Sequence, residues 1–367
     1  MARGENIYKR KDGRWEGRYP KARREDGSLY YGYIYGKSFQ SVRKRLIEKK
    51  ATYAFYHTSI HQEFQGDFKD WAALWLNQLM RENLKESTYA SYQNKLSHHI
   101  LPAIGHLPLH RVTKEVLTGL VQEWKEILSP SSIHVVFRLV KSCLKSAKDH
   151  GYLYTNPAEL VSLPKIQPKE RPALTRKQQS QLVQVGQHSL TDLPILLALE
   201  TGMRIGEISA LKWSDIDFDQ AVIHVKRTQQ RIVDYTDGEQ KTKLIETTPK
   251  TQRARRVIPL SSLLREQLKE AKAQANSPYV VGKKGKAVEP RTIAYRFAQL
   301  RKKIGLPNVS FHTLRHAFAT RCLEVGVNIH TISALLGHAS IKLTLDTYTH
   351  SRIEDQREAI EKLAVFS

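Results

Sequence analysis

Three prolines fall within nine residues of L-P-K-I-Q-P-K-E-R-P, at Pro164, Pro168 and Pro172. Each fixes its own φ, lacks an N–H donor and pushes the preceding residue out of the helical region. Neither a helix nor a central strand can pass through such a segment, which is extended and semi-stiff. A chain of 367 residues is long enough for two or three domains, and this segment divides it into two separately folding halves.

Both halves are basic. Lys and Arg number 59 against 36 Asp and Glu, a formal charge of +23. An excess of this size implies a polyanionic partner, usually nucleic acid. A membrane is disfavoured, since the longest apolar run, around Leu193–Leu199, fits a short core helix rather than a span. The opening residues M-A-R-G-E-N-I-Y-K-R-K lack the apolar stretch of a signal peptide. Cys143 and Cys322 are the only cysteines and have no metal-ligand spacing, so a reducing cytoplasm is expected.

The first half divides again. Residues 1–56 form a small basic module, with 15 basic less 6 acidic residues giving +9 over positions 1–50. Ile7–Lys9, Trp15–Tyr19 and Tyr30–Tyr35 alternate as strands, with Asp12-Gly13 and Asp26-Gly27 as hairpin turns, and a helix is expected from Ser41 to about Tyr56. Arg14, Arg18, Arg23 and Arg24 are interleaved with tyrosines. Half of these tyrosines suit a buried face, while the basic residues suit a sheet laid into a DNA groove. Residues 66–163 read as helical throughout: one helix over Phe68–Leu79, a second from Ser87-Thr88, a loop at Leu101-Pro102 and Leu107-Pro108, a third from the Thr113 cap, and a fourth opened by Ser131 or Ser132. Lys141, Lys145 and Lys148 share a face of that last helix. They suit phosphate contact and a merely solvated surface equally well.

In the second half, residues 173–367, several helices accompany a small set of strands without a βαβ repeat. The fold class expected for the whole chain is therefore α+β, mainly α. Here T-G-M-R-I-G-E places Arg204 and Glu207 three residues apart in the first turn of a helix after a glycine break. A lone Arg-x-x-Glu is usually a surface ion pair, but an arginine beside free helix N–H groups also makes an anion site. Lys250 lies in T-T-P-K-T between expected strands, in a basic loop where it could donate a proton. His312 and Arg315 share a helix face opposite a buried stripe of Leu314, Ala317, Phe318 and Cys322. His338 follows Gly337 at a helix end, and Ser340 opens a short helix carrying Tyr348. A competing pattern is His312-x-x-x-His316, the spacing of many metal sites, with His338 and His350 as further ligands. Against a metal stands Arg315, whose charge would repel a cation.

Taken in order, T-G-M-R-I-G-E-I-S-A-L-K-W, P-K-T, H-T-L-R-H-A-F-A-T, L-L-G-H and Y-T-H resemble the signature boxes of the tyrosine recombinases, in their phage and conjugative-transposon integrase branch. The resemblance implies an arm-site DNA-binding domain at 1–56, a core-site DNA-binding domain at 66–163 and a catalytic domain with its C-terminal tail at 173–367. Carried over by position, Arg204, Arg315 and His338 match the groups that bind the scissile phosphate. Lys250 matches the general acid, His312 the histidine of the second box, Glu207 the supporting acidic residue and Tyr348 the nucleophile. Further implications are double-stranded DNA as substrate, a homo-tetramer on DNA with its C-terminal tail packed in cis or exchanged, a host bending protein and an excisionase as accessory partners, neither cofactor nor metal, and a cytoplasmic, nucleoid-associated place in a bacterial host. The alternatives are a DNA-relaxing enzyme of type IB chemistry, a metal-dependent nuclease and a DNA-binding regulator that keeps the scaffold.

Overall fold

The computed structural model describes residues 6–23, 29–58, 64–167, 174–187, 191–234, 241–248, 255–306, 308–338 and 340–341. The chain forms two compact units, Met1–Pro168 and Lys169–Ser367.

The first unit begins with an antiparallel sheet of β1 (Ile7–Lys9), β2 (Trp15–Arg23) and β3 (Leu29–Gly36), followed by α1 (Phe39–Thr58). The register pairs Gly17 with Ile34, and Ile34 is buried with Val42 and Leu46 of α1. Because side chains alternate along a strand, Tyr8, Arg18, Tyr33 and Tyr35 occupy the opposite face, where the three tyrosines are exposed.

The helical part follows with α2 (Phe68–Leu74), α3 (Glu86–Lys95), α4 (Leu101–Ile104), α5 (Lys114–Ile127) and α6 (Pro130–Asp149). Phe68, Trp71, Trp75 and Leu76 are buried against Leu117, Val121, Ile133 and Val140, and the Trp71 indole N–H donates to the Cys143 carbonyl at 3.1 Å. Three sequence expectations are corrected. The helix over Phe68–Leu79 widens to a π-turn at Trp75–Leu79. Leu101-Pro102 lies in a helical turn rather than a loop, because a proline in the first turn of a helix forfeits no hydrogen bond. The cap of α6 is Ser129, whose hydroxyl accepts from the Ser132 N–H, with Pro130 in the first turn.

The second unit continues with α7 (Arg176–Gln187), α8 (Leu193–Thr201) and α9 (Ile205–Ser209). Next come strands β4 (Ile216–Asp217), β5 (Val222–Val225), β6 (Thr228–Asp234), β7 (Lys241–Thr247) and β8 (Arg256–Pro259). Helix α10 (Ser262–Ala273), the short strands β9 (Gly282–Lys283) and β10 (Lys286–Ala287), and helices α11 (Pro290–Lys303), α12 (Phe311–Glu324) and α13 (Ile329–Leu336) complete it. A sheet of order β4-β5-β8 and the hairpin β6-β7 are antiparallel. Strand β7 was not anticipated, since K-T-K-L-I-E-T lacks a clear two-residue alternation. The architecture is α+β and mainly helical, as expected from the sequence.

Helix α8 is buried along Leu193–Leu199 and forms the centre of the second core. It stops at Gly202, which adopts φ +64°. A Cβ at Gly202 would lie 2.6 Å from Phe318 Cδ1 and 2.8 Å from Leu336 Cδ2. Gly202→Ala is therefore expected to lower unfolding stability by about 2 kcal/mol or more, from left-handed strain plus overpacking. Denaturant unfolding checks this, and a change below about 0.5 kcal/mol, the scale of surface substitutions, would contradict it.

Candidate active site and nucleic-acid surface

Residue Arg204 is not inside the first helical turn, as its spacing suggested, but is the N-cap of α9, with extended backbone. Its backbone N–H donates to Glu207 Oε2 at 2.9 Å and its Nη1 to Glu207 Oε1 at 2.9 Å. The backbone donor expected to face an anion is thus engaged by Glu207, and the guanidinium carries the remaining positive charge. Glu207 is 4% exposed, so the pair is not the surface ion pair that its spacing usually signifies.

A second guanidinium explains how a carboxylate can sit there. Arg256 donates from Nη1 to Glu207 Oε1 at 3.1 Å and from Nη2 to Oε2 at 2.8 Å. Burial pushes the Glu207 carboxyl up, but the hydrogen bonds and charge of Arg256, together with the charge of Arg204, outweigh it and hold the group below the usual carboxylate value. Arg256 was missed in the sequence. A signal was present: in R-V-I-P it is in phase with buried Ile258, whereas Val257 faces out. A charged residue in phase with a core implies a buried partner.

Contrary to expectation, Arg315 does not lie across α12 from a buried stripe; it is itself buried, at 3% exposure. Its Nη1 donates to the Gly202 carbonyl at 2.7 Å and its Nη2 to the Leu336 carbonyl at 2.6 Å. These carbonyls close α8 and α13, and a cation is favoured at helix C-termini. His338 follows the left-handed Gly337, with its N–H donating to the Ser333 carbonyl at 3.1 Å. Its imidazole is pushed down to about 4, first by burial and then by the charges of Arg315, Arg204, Arg256 and His316. His312 and His316 meet edge to face with ring centroids 4.6 Å apart. A cavity of about 360 Å³ opens beside Arg255, Arg256, Ser333, Gly337 and His338.

The structure therefore gathers Arg204, Glu207, Arg315 and His338, with Arg256 added. Lys250, Tyr348 and His350 lie outside the described residues, as does the expected helix beyond Ser340. Among the described residues, no three His, Cys, Asp or Glu are grouped to hold a metal ion. Strand β6, which pairs with β7 ahead of the Lys250 segment, is tied to its surroundings: the Ser209 hydroxyl sits 2.7 Å from Gln229 Oε1 and 2.6 Å from the Val288 carbonyl, and Arg231 pairs with Glu289.

Of the expected DNA-binding residues, Arg18 stacks over the Tyr31 ring at 3.6 Å, and Arg14 lies 5.7 Å from the Tyr35 ring centroid and pairs with Asp12. Lys141 and Lys145 are exposed on α6. Arg24 lies outside the described residues, and for Arg23 only the backbone, in β2, is described. No described helix is long and apolar enough to cross a membrane.

With this geometry in place, comparisons with known proteins are specific. Residues 172–355 match the phage integrase family and residues 67–125 match its N-terminal SAM-like domain. The XerC-like tyrosine recombinase of Caldanaerobacter subterraneus is 28% identical, with 93% of each chain covered. The tyrosine recombinase XerA of Pyrococcus horikoshii is 31% identical over 68% of this chain and 79% of its own. Among solved structures, the Tn1549 transposon integrase in complex with a circular intermediate DNA has a TM-score of 0.69 at 21% identity, covering 82% of this chain and 100% of that one. The lambda integrase tetramer bound to a Holliday junction has a TM-score of 0.59 at 18% identity, covering 96% and 99%. The fold is that of a tyrosine recombinase, and the chain belongs to the phage integrase family. It is an enzyme of site-specific DNA recombination.

The depressed His338 value has a signed consequence. Between the ordinary value of 6.5 and about 4, the unfolded chain binds a proton that the folded chain refuses. Stability therefore rises with pH across this window and is lost as pH falls through it. The imidazole resonances of His338 are expected to titrate near 4, and a midpoint near 6.5 in the NMR titration would contradict the packing described.

Proposed function

We propose that the chain is an integrase that joins and releases a phage or other mobile element through a 3′-phosphotyrosyl intermediate. The observation carrying this reading is the Arg204–Glu207–Arg256 cluster beside Arg315 and His338, a strongly positive place, partly buried and partly open, suited to a phosphodiester. In this reading residues 1–56 bind arm-type DNA, 66–163 bind core-type DNA and 173–367 carry the chemistry. The exposed Tyr8, Tyr33 and Tyr35 beside Arg18 support the first assignment, and a fold match that extends over 96% of this chain is in keeping with all three parts belonging to one recombinase fold. Lys141 and Lys145 on α6 are the proposed core-site contacts.

The Tyr348 oxygen attacks phosphorus and the bond to the 5′-oxygen breaks. Negative charge builds on the non-bridging oxygens, where the planar guanidiniums of Arg204 and Arg315 fit better than point charges. His338, neutral at physiological pH, donates a hydrogen bond to the same phosphate. His312 accepts the phenol proton, and Lys250 gives one to the leaving 5′-oxygen. A 5′-hydroxyl from a second duplex then attacks the phosphotyrosine and frees Tyr348. One phosphodiester is exchanged for another, so no ATP is needed, and the arginines do the charge neutralisation that a metal would otherwise do. Assembly as a tetramer brings the two duplexes together. A host bending protein and an excisionase would set direction.

Two experiments bear on these roles. On a nicked substrate that traps the adduct, Tyr348→Phe is expected to give no covalent protein–DNA product while DNA binding persists, and the wild type is expected to cleave in EDTA. Adduct formed by Tyr348→Phe at the wild-type level refutes the nucleophile. Lys250→Met is expected to slow cleavage by about 100-fold or more, with recovery when sulfur replaces the bridging 5′-oxygen, because a thiolate leaves unprotonated. An equal defect on both linkages removes Lys250 from the acid role.

A further inference from the structure

Arg204 and His338 approach the proposed phosphate site from different elements, α9 and the end of α13. Two loosely sprung elements would hold their groups poorly, and a misplacement of about 1 Å at a reacting centre can cost on the order of 100-fold in rate. Arg256 touches both elements. Arg256 sits in β8 with its side chain 5% exposed. It grips both oxygens of Glu207, which in turn holds the backbone and guanidinium of Arg204. Its third nitrogen, Nε, donates at 2.5 Å to the carbonyl of Leu335, three residues before His338. The next carbonyl, that of Leu336, receives Arg315.

We infer that Arg256 is a positioning residue for strand cleavage, a buried bracket that fixes Arg204 and His338 relative to each other through Glu207 and the Leu335 carbonyl. The inference rests on the proposed roles of Arg204 and His338. Three features fit a bracket better than a phosphate ligand. All three Arg256 nitrogens have protein acceptors, so the guanidinium is turned inward. The geometry requires a planar fork, since two donors meet one carboxylate while a third points elsewhere, an arrangement a lysine ammonium cannot reproduce. The charges also balance usefully. Arg204, Arg256 and Arg315 less Glu207 leave two positive charges, so Glu207 can hold Arg204 in place without cancelling the field at the phosphate. A further consequence concerns β8 itself. The Lys250 segment leads directly into it, so the anchored Arg256 also fixes where that segment ends.

The test is a double-mutant cycle on single-turnover cleavage of a nicked duplex, with DNA affinity measured in parallel. Arg256→Lys keeps the charge and loses the fork. It is expected to slow cleavage by about 100-fold in the wild-type background and by a clearly smaller factor in an Arg204→Lys background, where only the His338 arm of the bracket is left to lose, because coupled residues are non-additive. DNA affinity is expected to hold. Equal losses in both backgrounds overturn the inference, since a residue that merely stabilises the fold would penalise both alike. Should Arg256→Lys fail to fold, the pair Glu207→Met with Arg256→Met removes both buried charges together, a replacement often tolerated in protein interiors. This double variant is expected to bind DNA and still cleave about 100-fold slowly, and near-normal cleavage overturns the bracket. Wild-type cleavage by Arg204→Lys alone would instead refute the role of Arg204 beneath it, a separate and recognisable result.

Discussion

The Glu207 carboxylate is taken out of water with two guanidiniums against it, and much of the second unit follows from that. A buried charge is tolerated only when paired and hydrogen-bonded, and removing one partner of such a pair typically costs about 3–5 kcal/mol. Both Glu207 oxygens are committed, to Arg204 and Arg256, and Arg256 carries the link onward to the end of α13. Arg315 repeats the principle with helix termini in place of a carboxylate, its guanidinium resting on the carbonyls that close α8 and α13. A chain this basic would scatter like charges if they were left to the surface. Here one acidic side chain and two helix ends hold three arginines within one small region.

The scaffold around that region explains why the elements meet there. Helix α8 is apolar on all sides and so must lie at the centre of the core, which puts its C-terminus, Gly202, in the interior. The left-handed glycine turns the chain sharply into Arg204 and leaves its carbonyl for Arg315. Gly337 does the same for α13 and delivers His338. Two helices thus end at glycines within reach of the same arginine, and each is followed within two residues by a group assigned to the phosphate. The low proton affinity of His338 is a by-product of this crowding, since burial and four neighbouring cationic or titratable groups all oppose a further charge.

Much of this was legible in the sequence because it rests on local rules. The prolines after Leu163, the glycine break before Arg204, Gly337 before His338 and the cap at Thr113 mark boundaries that depend on a few neighbouring residues. The ordered boxes around Arg204, Arg315 and His338 pointed to one phosphate-directed cluster. What escaped reading depends on contacts distant in sequence. Arg256 is 49 residues from Glu207 and 79 from Leu335, so only folding reveals it as their link. The burial of Arg315 was hidden for the same reason, because its acceptors are carbonyls of other helices rather than a recognisable side-chain partner. Pro102 misled at a helix start, where a proline is acceptable, and β7 escaped because its polar residues are not confined to one face.

The proposed chemistry rests on one covalent bond. Wild-type protein trapped on a nicked cognate duplex, digested with protease and nuclease and sequenced by mass spectrometry, is expected to carry its nucleotide remnant on the peptide containing Tyr348, attached to the phenolic oxygen through a 3′-phosphate. A remnant on another side chain, or attachment through a 5′-phosphate, would contradict it.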